Sequence, residues 1–200
     1  MMNRINDWRL LFLLGLVPLI LLMLDIQLNR LGANPIEAVN IRLGDWTLRF
    51  LCLSLSITPL RKMTDWKWPI RDRRMIGLFT FFYACLHVLS YLILDHALAW
   101  NMIYWDIIES PFILVGLIAF IIILLMGITS TKAWQKRLGT KWKKLHKLIY
   151  YAAIAALIHY AWQLKGNFAN PLIYGIIIAF LLGFRVLVRW RNYNPISHSS

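Results

Sequence analysis

The sequence predicts an all-α integral membrane protein, a bundle of six transmembrane helices whose N and C termini both lie in the cytoplasm. Its composition is 60% hydrophobic and 16% charged, whereas soluble domains are roughly 45–50% apolar and about 25% charged. Uncharged apolar runs that approach the ~20 residues needed to cross the hydrocarbon core recur along the chain. Lysine and arginine are concentrated in alternate connections between these runs.

The predicted spans follow the apolar runs in chain order: 9–28, 44–60, 74–95, 111–130, 143–163 and 170–189. The first run follows two arginines, as in a signal peptide, but no small-residue cleavage site comes after it. We therefore expect an uncleaved helix that Pro18 kinks. The second run is short and reaches spanning length only if Arg49 extends toward an interface. Residues 1–191 are expected to form one membrane domain, and residues 192–200 a polar tail.

The distribution of charge predicts the orientation. Loop 61–74 contains six lysine and arginine residues and segment 131–147 contains seven, whereas loop 95–110 contains none. Positively charged loops stay in the cytoplasm, so both basic loops and both termini are predicted there. The net charge of +13 is therefore assigned to orientation and to anionic membrane lipid, and not to nucleic acid. Aromatic residues in segment 97–110 are typical of the headgroup level and predict an interfacial helix on the outer face.

Two histidines, His87 and His159, fall inside predicted spans. Ionisable groups within the membrane usually mark function, and imidazole is a good ligand for haem iron. His87 lies 13 residues after Arg74 and His159 lies 12 residues after Lys147. At 1.5 Å per residue, both are predicted roughly 18–20 Å above the cytoplasmic interface. The matching depth indicates a single b-type haem held between the two helices; a hydrogen bond within a helix bundle is the alternative.

A third histidine, His146, stands at the cytoplasmic end of the fifth predicted span, about 20 Å below His159 if the helix is continuous. At that depth the third span offers Arg73 and Arg74 and no histidine. The sequence therefore leaves three interpretations open. His146 holds a second haem with a non-histidine ligand, serves another cofactor, or is an interfacial histidine at a helix start.

Arg49 is a candidate contact for a haem propionate, by a charge-assisted hydrogen bond. The alternative, an i,i+4 ion pair with Asp45, is favoured. His96 in the outer loop and His198 in the tail are expected to be solvated. Because the basic loops carry many arginines and lysines, they also suit a flavin phosphate.

The sequence contains no glycine-rich nucleotide loop, HExxH motif or paired-carboxylate site. We therefore expect an electron-transfer subunit that leaves bond chemistry to a partner. Two alternatives remain: a stand-alone ferric or cupric reductase-like cytochrome, and a transporter or assembly factor without haem. The two cysteines, Cys52 and Cys85, are expected to be buried thiols and not a disulfide.

Several stretches resemble a known family. They are LGANP at 31–35, ITPLR at 57–61, RDRRMIGL at 71–78, LHVLSY at 86–91, TSTKAWQKRLGTKWKKLH at 129–146, IHYAW at 158–162 and PLIYG at 171–175. The chain is similar in these stretches to the haem-binding membrane subunit of the bacterial periplasmic protein-methionine-sulfoxide reductase system. That family belongs to the ferric-reductase-like transmembrane superfamily.

The resemblance implies a multi-pass protein of the bacterial inner membrane with six spans, b-type haem and an associated FMN. Its haem histidines fall on His87, His146 and His159. It implies electrons from the quinone pool or a cytoplasmic flavin reductase, delivered to a periplasmic molybdopterin enzyme that reduces methionine sulfoxide in proteins. Oxidase relatives carry two histidines on the third helix, whereas this chain has Arg73 near the inner position, so a second bis-histidine haem is not implied.

Overall fold

The computed structural model describes residues 4–64, 68–164 and 169–193. Every regular element in these ranges is helical, as the composition and the apolar runs predict. In chain order they are α1 (Arg4–Gln27), α2 (Pro35–Thr64), α3 (Trp68–Ser90), a π-helix (Tyr91–Asp95), α4 (Trp100–Glu109), α5 (Pro111–Ile128), α6 (Lys132–Leu138), α7 (Thr140–His146), α8 (Ile149–Gln163) and α9 (Ala169–Tyr193).

Four segments of the described chain are long and apolar enough to cross a membrane. They are Trp8–Gln27, Asp72–Asp95, Pro111–Ile128 and Ala169–Trp190. The two other predicted spans correspond to α2, which is long but carries several charges, and α8, which has only 15 residues. The chain is therefore a multi-span membrane protein, with four spans that meet the criteria of length and hydropathy.

The second helix begins nine residues before the predicted position 44, because a strong N-terminal signal precedes the apolar run. Asn34 Oδ1 accepts a hydrogen bond from the Glu37 amide at 3.3 Å, and Asn34 Nδ2 donates to Glu37 Oε2 at 3.0 Å. Pro35 occupies the first helical position, where its missing N–H costs nothing. This reciprocal cap starts the helix early and places Asn40 one turn before Gly44.

The first helix runs from Arg4 to Gln27 without interruption at Pro18. Next to the proline, the Tyr83 hydroxyl donates to the Gly15 carbonyl at 2.8 Å and accepts from the Leu19 amide at 3.2 Å. A regular turn would join these two backbone groups directly, so the tyrosine is inserted into the helical hydrogen-bond ladder. Gly15 is required here, since a Cβ atom would lie 2.2 Å from the ring of Phe79.

The helix predicted over 143–163 is present as α7 and α8, joined by a short 3₁₀-like stretch at Lys147 and Leu148, whose backbone angles stay in the right-handed helical region. The chain turns at residues 147–148 between α7 and α8, where the Lys147 and Leu148 amides bond to carbonyls three residues back. Neither proline nor glycine marks this break in the sequence. His146 and His159 consequently lie on either side of this stretch, so the spacing between them departs from that of a regular α-helix.

Two pairs of helices define the bundle: α2 packs along α3, and α5 packs along α8. A core cluster joins α2, α8 and α9 around Leu51 and Leu55, and a second joins α1, α2 and α3 around Phe50 and Tyr83. Cys52 is buried and Cys85 is half-buried, and both are free thiols, as predicted. The helix α9 extends to Tyr193, past the predicted end at 189; the tail with His198 lies outside the described residues.

Candidate functional site

A cavity of about 370 Å³ lies among α2, α3, α5 and α8, with α4 and the π-helix forming the wall at one end. Its lining is mainly apolar, with a few polar side chains, which is typical of cofactor sites. The structure brings His87 of α3 and His159 of α8 together in this cavity. Arg49 and His146, the other two candidate residues, do not line it.

The imidazole rings of His87 and His159 face the same space, with centroids 6.2 Å apart and planes inclined at 71°. Metal–imidazole bonds are about 2 Å long, which puts a ring centre about 3 Å from the metal and two such rings about 6 Å apart. The observed separation therefore fits two axial ligands of one metal. The described residues contain no group of three or more histidine, cysteine, aspartate or glutamate side chains that would hold a bare ion. Two imidazoles supply only two ligands, so a metal held by this pair would take its other ligands from elsewhere, as haem iron does from its macrocycle.

Hydrogen bonds fix the tautomer of both rings. His87 Nδ1 lies 3.0 Å from the carbonyl oxygen of Asn40, and His159 Nδ1 lies 2.7 Å from that of Phe112. A carbonyl only accepts, so each Nδ1 carries the proton and each Nε2 keeps its lone pair. Iron ligation by imidazole needs such a neutral ring with its second nitrogen oriented by a protein acceptor.

Asn40 is a residue of the site that the sequence analysis missed. Beyond its carbonyl contact with His87, its side-chain Nδ2 donates to Asp95 and its Oδ1 accepts from the Ser90 hydroxyl at 3.3 Å. The side chain is buried, so these bonds satisfy groups that would otherwise be costly. The signal that could have found it is the Asn-Pro-x-Glu cap, which predicts that α2 already includes position 40.

Asp106 of α4 organises the end of the cavity near the π-helix. It accepts hydrogen bonds from the Tyr91 hydroxyl at 2.8 Å and the Ser110 hydroxyl at 3.2 Å, and its Oδ2 lies 3.1 Å from His96 Nε2. The expectation that His96 is solvated is therefore wrong. The residue pairs with Asp106, and its side chain is only 17% exposed. These bonds attach α4, which the aromatic pattern predicted as a helix, to the wall of the cavity.

Arg49 makes the i,i+4 pair that the sequence analysis favoured. Its Nη2 lies 3.4 Å from Asp45 Oδ2, its Nε donates to the Tyr174 hydroxyl at 3.1 Å, and its guanidinium lies 4.6 Å from the ring centre of Trp46. Asp45 itself lines the cavity. Its other oxygen, Oδ1, is buried and has no hydrogen-bond partner in the described part of the chain.

A second cavity, of about 490 Å³, surrounds His146 and is strongly basic; its charged lining residues are Arg73, Arg74, Lys143 and Lys147. Trp142 stacks on the His146 ring with centroids 3.9 Å apart and planes inclined at 27°. His146 Nδ1 lies 3.1 Å from the Trp142 carbonyl oxygen. Thus His146 does not join the His87–His159 pair, and the described residues that line its own cavity include no second histidine.

The family model and the similar proteins both point to one family of membrane proteins. The model of the family described as ferric reductase like transmembrane component matches residues 43–157, which include His87 and His146 and end two residues before His159. The chain is 46% identical over 186 residues to the protein-methionine-sulfoxide reductase heme-binding subunit MsrQ of Herminiimonas arsenicoxydans, covering 92% of this chain and 85% of the relative. The proteins of the same name from Azospira oryzae and Ralstonia nicotianae are each 44% identical, covering 92% and 94% of this chain and 80% and 87% of the relatives. No solved structure matches.

Proposed function

This chain belongs to the family of heme-binding subunits of protein-methionine-sulfoxide reductases, within the ferric-reductase-like transmembrane proteins, and on that premise we propose that His87 and His159 hold one b-type haem. The chain is a membrane electron-transfer subunit of the bacterial inner membrane. The observation that carries the ligand assignment is the histidine pair, with ring centroids 6.2 Å apart and both Nδ1 atoms bonded to carbonyls.

Haem would supply a one-electron redox centre in this cavity. With His87 and His159 both bound, the iron would have no open coordination position, which would suit electron transfer better than oxygen chemistry. The protein's own contribution is to fix both rings, to surround the macrocycle with apolar side chains and to keep water out. Arg49 is held by Asp45, Tyr174 and Trp46, so we expect no contact with a propionate.

We propose six spans with both termini in the cytoplasm, α2 and α8 completing the four spans that meet the criteria of length and hydropathy. The basic segments at the α2–α3 and α5–α8 connections support this orientation. Asp95, His96 and Asp106 then lie toward the periplasm, and the His87–His159 cavity is nearer that side. A haem there is placed to deliver electrons to a periplasmic molybdopterin-containing methionine-sulfoxide reductase.

The basic cavity around His146 lies at the cytoplasmic end in this orientation, and we propose that it takes FMN. Arg73, Arg74, Lys143 and Lys147 suit the phosphate, and the Trp142 ring suits a planar aromatic system. A single histidine, with no second one among the described residues that line its cavity, suits a second bis-histidine haem less well. Electrons would enter at this end, from the quinone pool or a cytoplasmic flavin reductase.

The experiment that tests the haem assignment is the visible spectrum of the detergent-purified protein, oxidised and then reduced with dithionite, together with its haem-to-protein ratio. We expect sharp reduced α and β bands from low-spin b-type haem, and their loss in the variants H87A and H159A. The matched control is H198A, a histidine of the C-terminal tail. Full haem content in H87A or H159A would overturn the ligand assignment. A wild-type protein that stays colourless after haem supplementation would favour a transporter or assembly factor.

A further inference from the structure

The two cavity histidines are held by the same arrangement on two different helices. His87 of α3 bonds to the carbonyl of Asn40 on α2, and His159 of α8 bonds to that of Phe112 on α5. Four residues after each of these carbonyls, on the same helix, stands a glycine: Gly44 follows Asn40, and Gly116 follows Phe112. Both glycines line the cavity.

Each glycine is in close contact with the imidazole that its helix holds. A Cβ atom built on Gly44 would lie 3.1 Å from His87 Cε1 and 3.3 Å from its Nδ1. A Cβ atom on Gly116 would lie 2.7 Å from His159 Nδ1 and 2.8 Å from its Cε1. Any side chain at position 116, and to a smaller degree at position 44, would therefore displace the ring.

The helical geometry explains why glycine occurs four residues after the accepting carbonyl. The Cα–Cβ bond of a helical residue tilts toward the helix N-terminus, so its side chain covers the turn before it. Omitting the side chain at Gly44 or Gly116 uncovers the carbonyl of that preceding turn. That carbonyl has a second lone pair besides the one used by the helix, and the imidazole N–H reaches it.

We propose that Gly44 and Gly116 are positioning residues, which set the crossed orientation of His87 and His159 about the haem iron. This inference rests on the proposed haem site. The two rings are inclined at 71° because the Nδ1–Cε1 edge of each is held against a different helix, α2 for His87 and α5 for His159. The angle between the planes of two axial imidazoles sets the energy difference between the iron dxz and dyz orbitals, and this difference determines the g values of the ferric haem. Crossed rings produce a strongly anisotropic low-spin ferric signal with a large maximum g value, and near-parallel rings produce a more rhombic one.

The test is electron paramagnetic resonance of the ferric protein at low temperature, with the haem-to-protein ratio and the midpoint potential measured on the same samples. The variants are G44A and G116A. The matched controls are G183A, where a Cβ atom would meet nothing within 4 Å, and G175A, where it would make an ordinary 3.8 Å contact with Leu157. Alanine is the better helix former at all four helical positions, so lost helicity cannot account for an effect.

We expect the wild type and both controls to give the anisotropic signal of crossed rings. In G116A the haem affinity should fall about 10–100-fold, as is usual when a group that orients a metal ligand is removed. In G44A, whose Cβ contact is longer, we expect retained haem with a shifted g value and midpoint potential. If G116A fails to fold, G44A still carries the test, because its histidine ring needs to move by only a few tenths of an ångström.

A rhombic signal from the wild type, or unchanged signals and haem content in both G44A and G116A, would overturn the proposal while leaving the haem site intact. The same change in G183A would also overturn it. The proposed function fails in a different way: the wild type is colourless, or H87A and H159A keep their haem.

Discussion

Arg185 of α9 donates a hydrogen bond from Nη2 to the carbonyl oxygen of Leu55 on α2, and from Nη1 to its own helix at Leu181. The Leu55 carbonyl is the one that Pro59 leaves without a helical donor, because proline four residues later has no N–H. An apparently isolated arginine in an apolar helix thus completes the backbone hydrogen bonding of a neighbouring helix. The Tyr150 ring lies 5.5 Å from its guanidinium and covers it.

Replacing Arg185 with leucine should destabilise the protein by about 1–2 kcal/mol, since it leaves a buried carbonyl unpaired within the bundle. Adding the substitution Pro59→Ala should recover part of the loss, because alanine restores the missing amide to Leu55. Thermal unfolding in detergent measures both effects. The control is R189L on the same helix, where the arginine is exposed. Equal losses in R185L and R189L would show that the carbonyl contact is not the cause.

Removing the Tyr83 hydroxyl, in the variant Y83F, should cost about 1–3 kcal/mol. The hydroxyl serves two backbone groups of α1, the Gly15 carbonyl and the Leu19 amide, and the tyrosine is fully buried. Y151F is the control, because that tyrosine is 67% exposed. Hydrogen exchange of α1 should localise the loss to the turn around Pro18. An unchanged melting temperature in Y83F would contradict the inserted-hydroxyl interpretation.

Particular residues show which features of the fold and of the candidate site can be predicted from the sequence. The approach of His87 to His159 is predictable from residue counts, because both follow basic residues by a similar number of residues and helical rise is constant. The contacts of Gly44 and Gly116 are not predictable, since they depend on which helices become neighbours. The early start of α2 is encoded in Asn34–Glu37 but is hidden when boundaries follow hydropathy.

Two other differences between the predictions from sequence and the structure arise from tertiary contacts. The break between α7 and α8 at residues 147–148 contains no proline or glycine, so local propensity gives no warning of it. His96 is indistinguishable in sequence from a solvated loop histidine. It is half-buried because α4 folds back and brings Asp106 to its ring.

Replacing Asn40 with alanine should separate two roles of this residue. The side chain, which bonds to Asp95 and Ser90, is lost, and stability should fall by about 1–3 kcal/mol. The backbone carbonyl that accepts from His87 Nδ1 remains, so we expect the variant to keep its haem and its reduced α band. Unfolding and haem content measured on one sample test both expectations. Complete haem loss in a folded N40A protein would show that the side chain itself orients His87.

Replacing Arg73 and Lys147 together with glutamine should weaken FMN binding, because both cations line the cavity proposed for its phosphate. Loss of charge-assisted bonds to a phosphate predicts an affinity lower by about 10-fold or more. Flavin fluorescence retained after desalting measures the bound fraction. The paired control K132Q/K136Q removes two exposed charges of α6, so it tests the general effect of net charge. Equal flavin retention in both paired variants would contradict the assignment of this cavity.

The variant H146A distinguishes one haem from two. If His87 and His159 hold the only haem, the wild type has a haem-to-protein ratio of about one, and H146A keeps it because the two cavities have separate histidines. A ratio near two that H146A reduces to one would instead make His146 the ligand of an inner haem, with a non-histidine partner. The Trp142 ring stacked on His146 would have to move in that case, so W142A provides an independent reading. The W142A substitution should leave the haem spectrum unchanged if the protein has a single haem at His87 and His159. It should alter the spectrum only if a second haem iron lies beside His146.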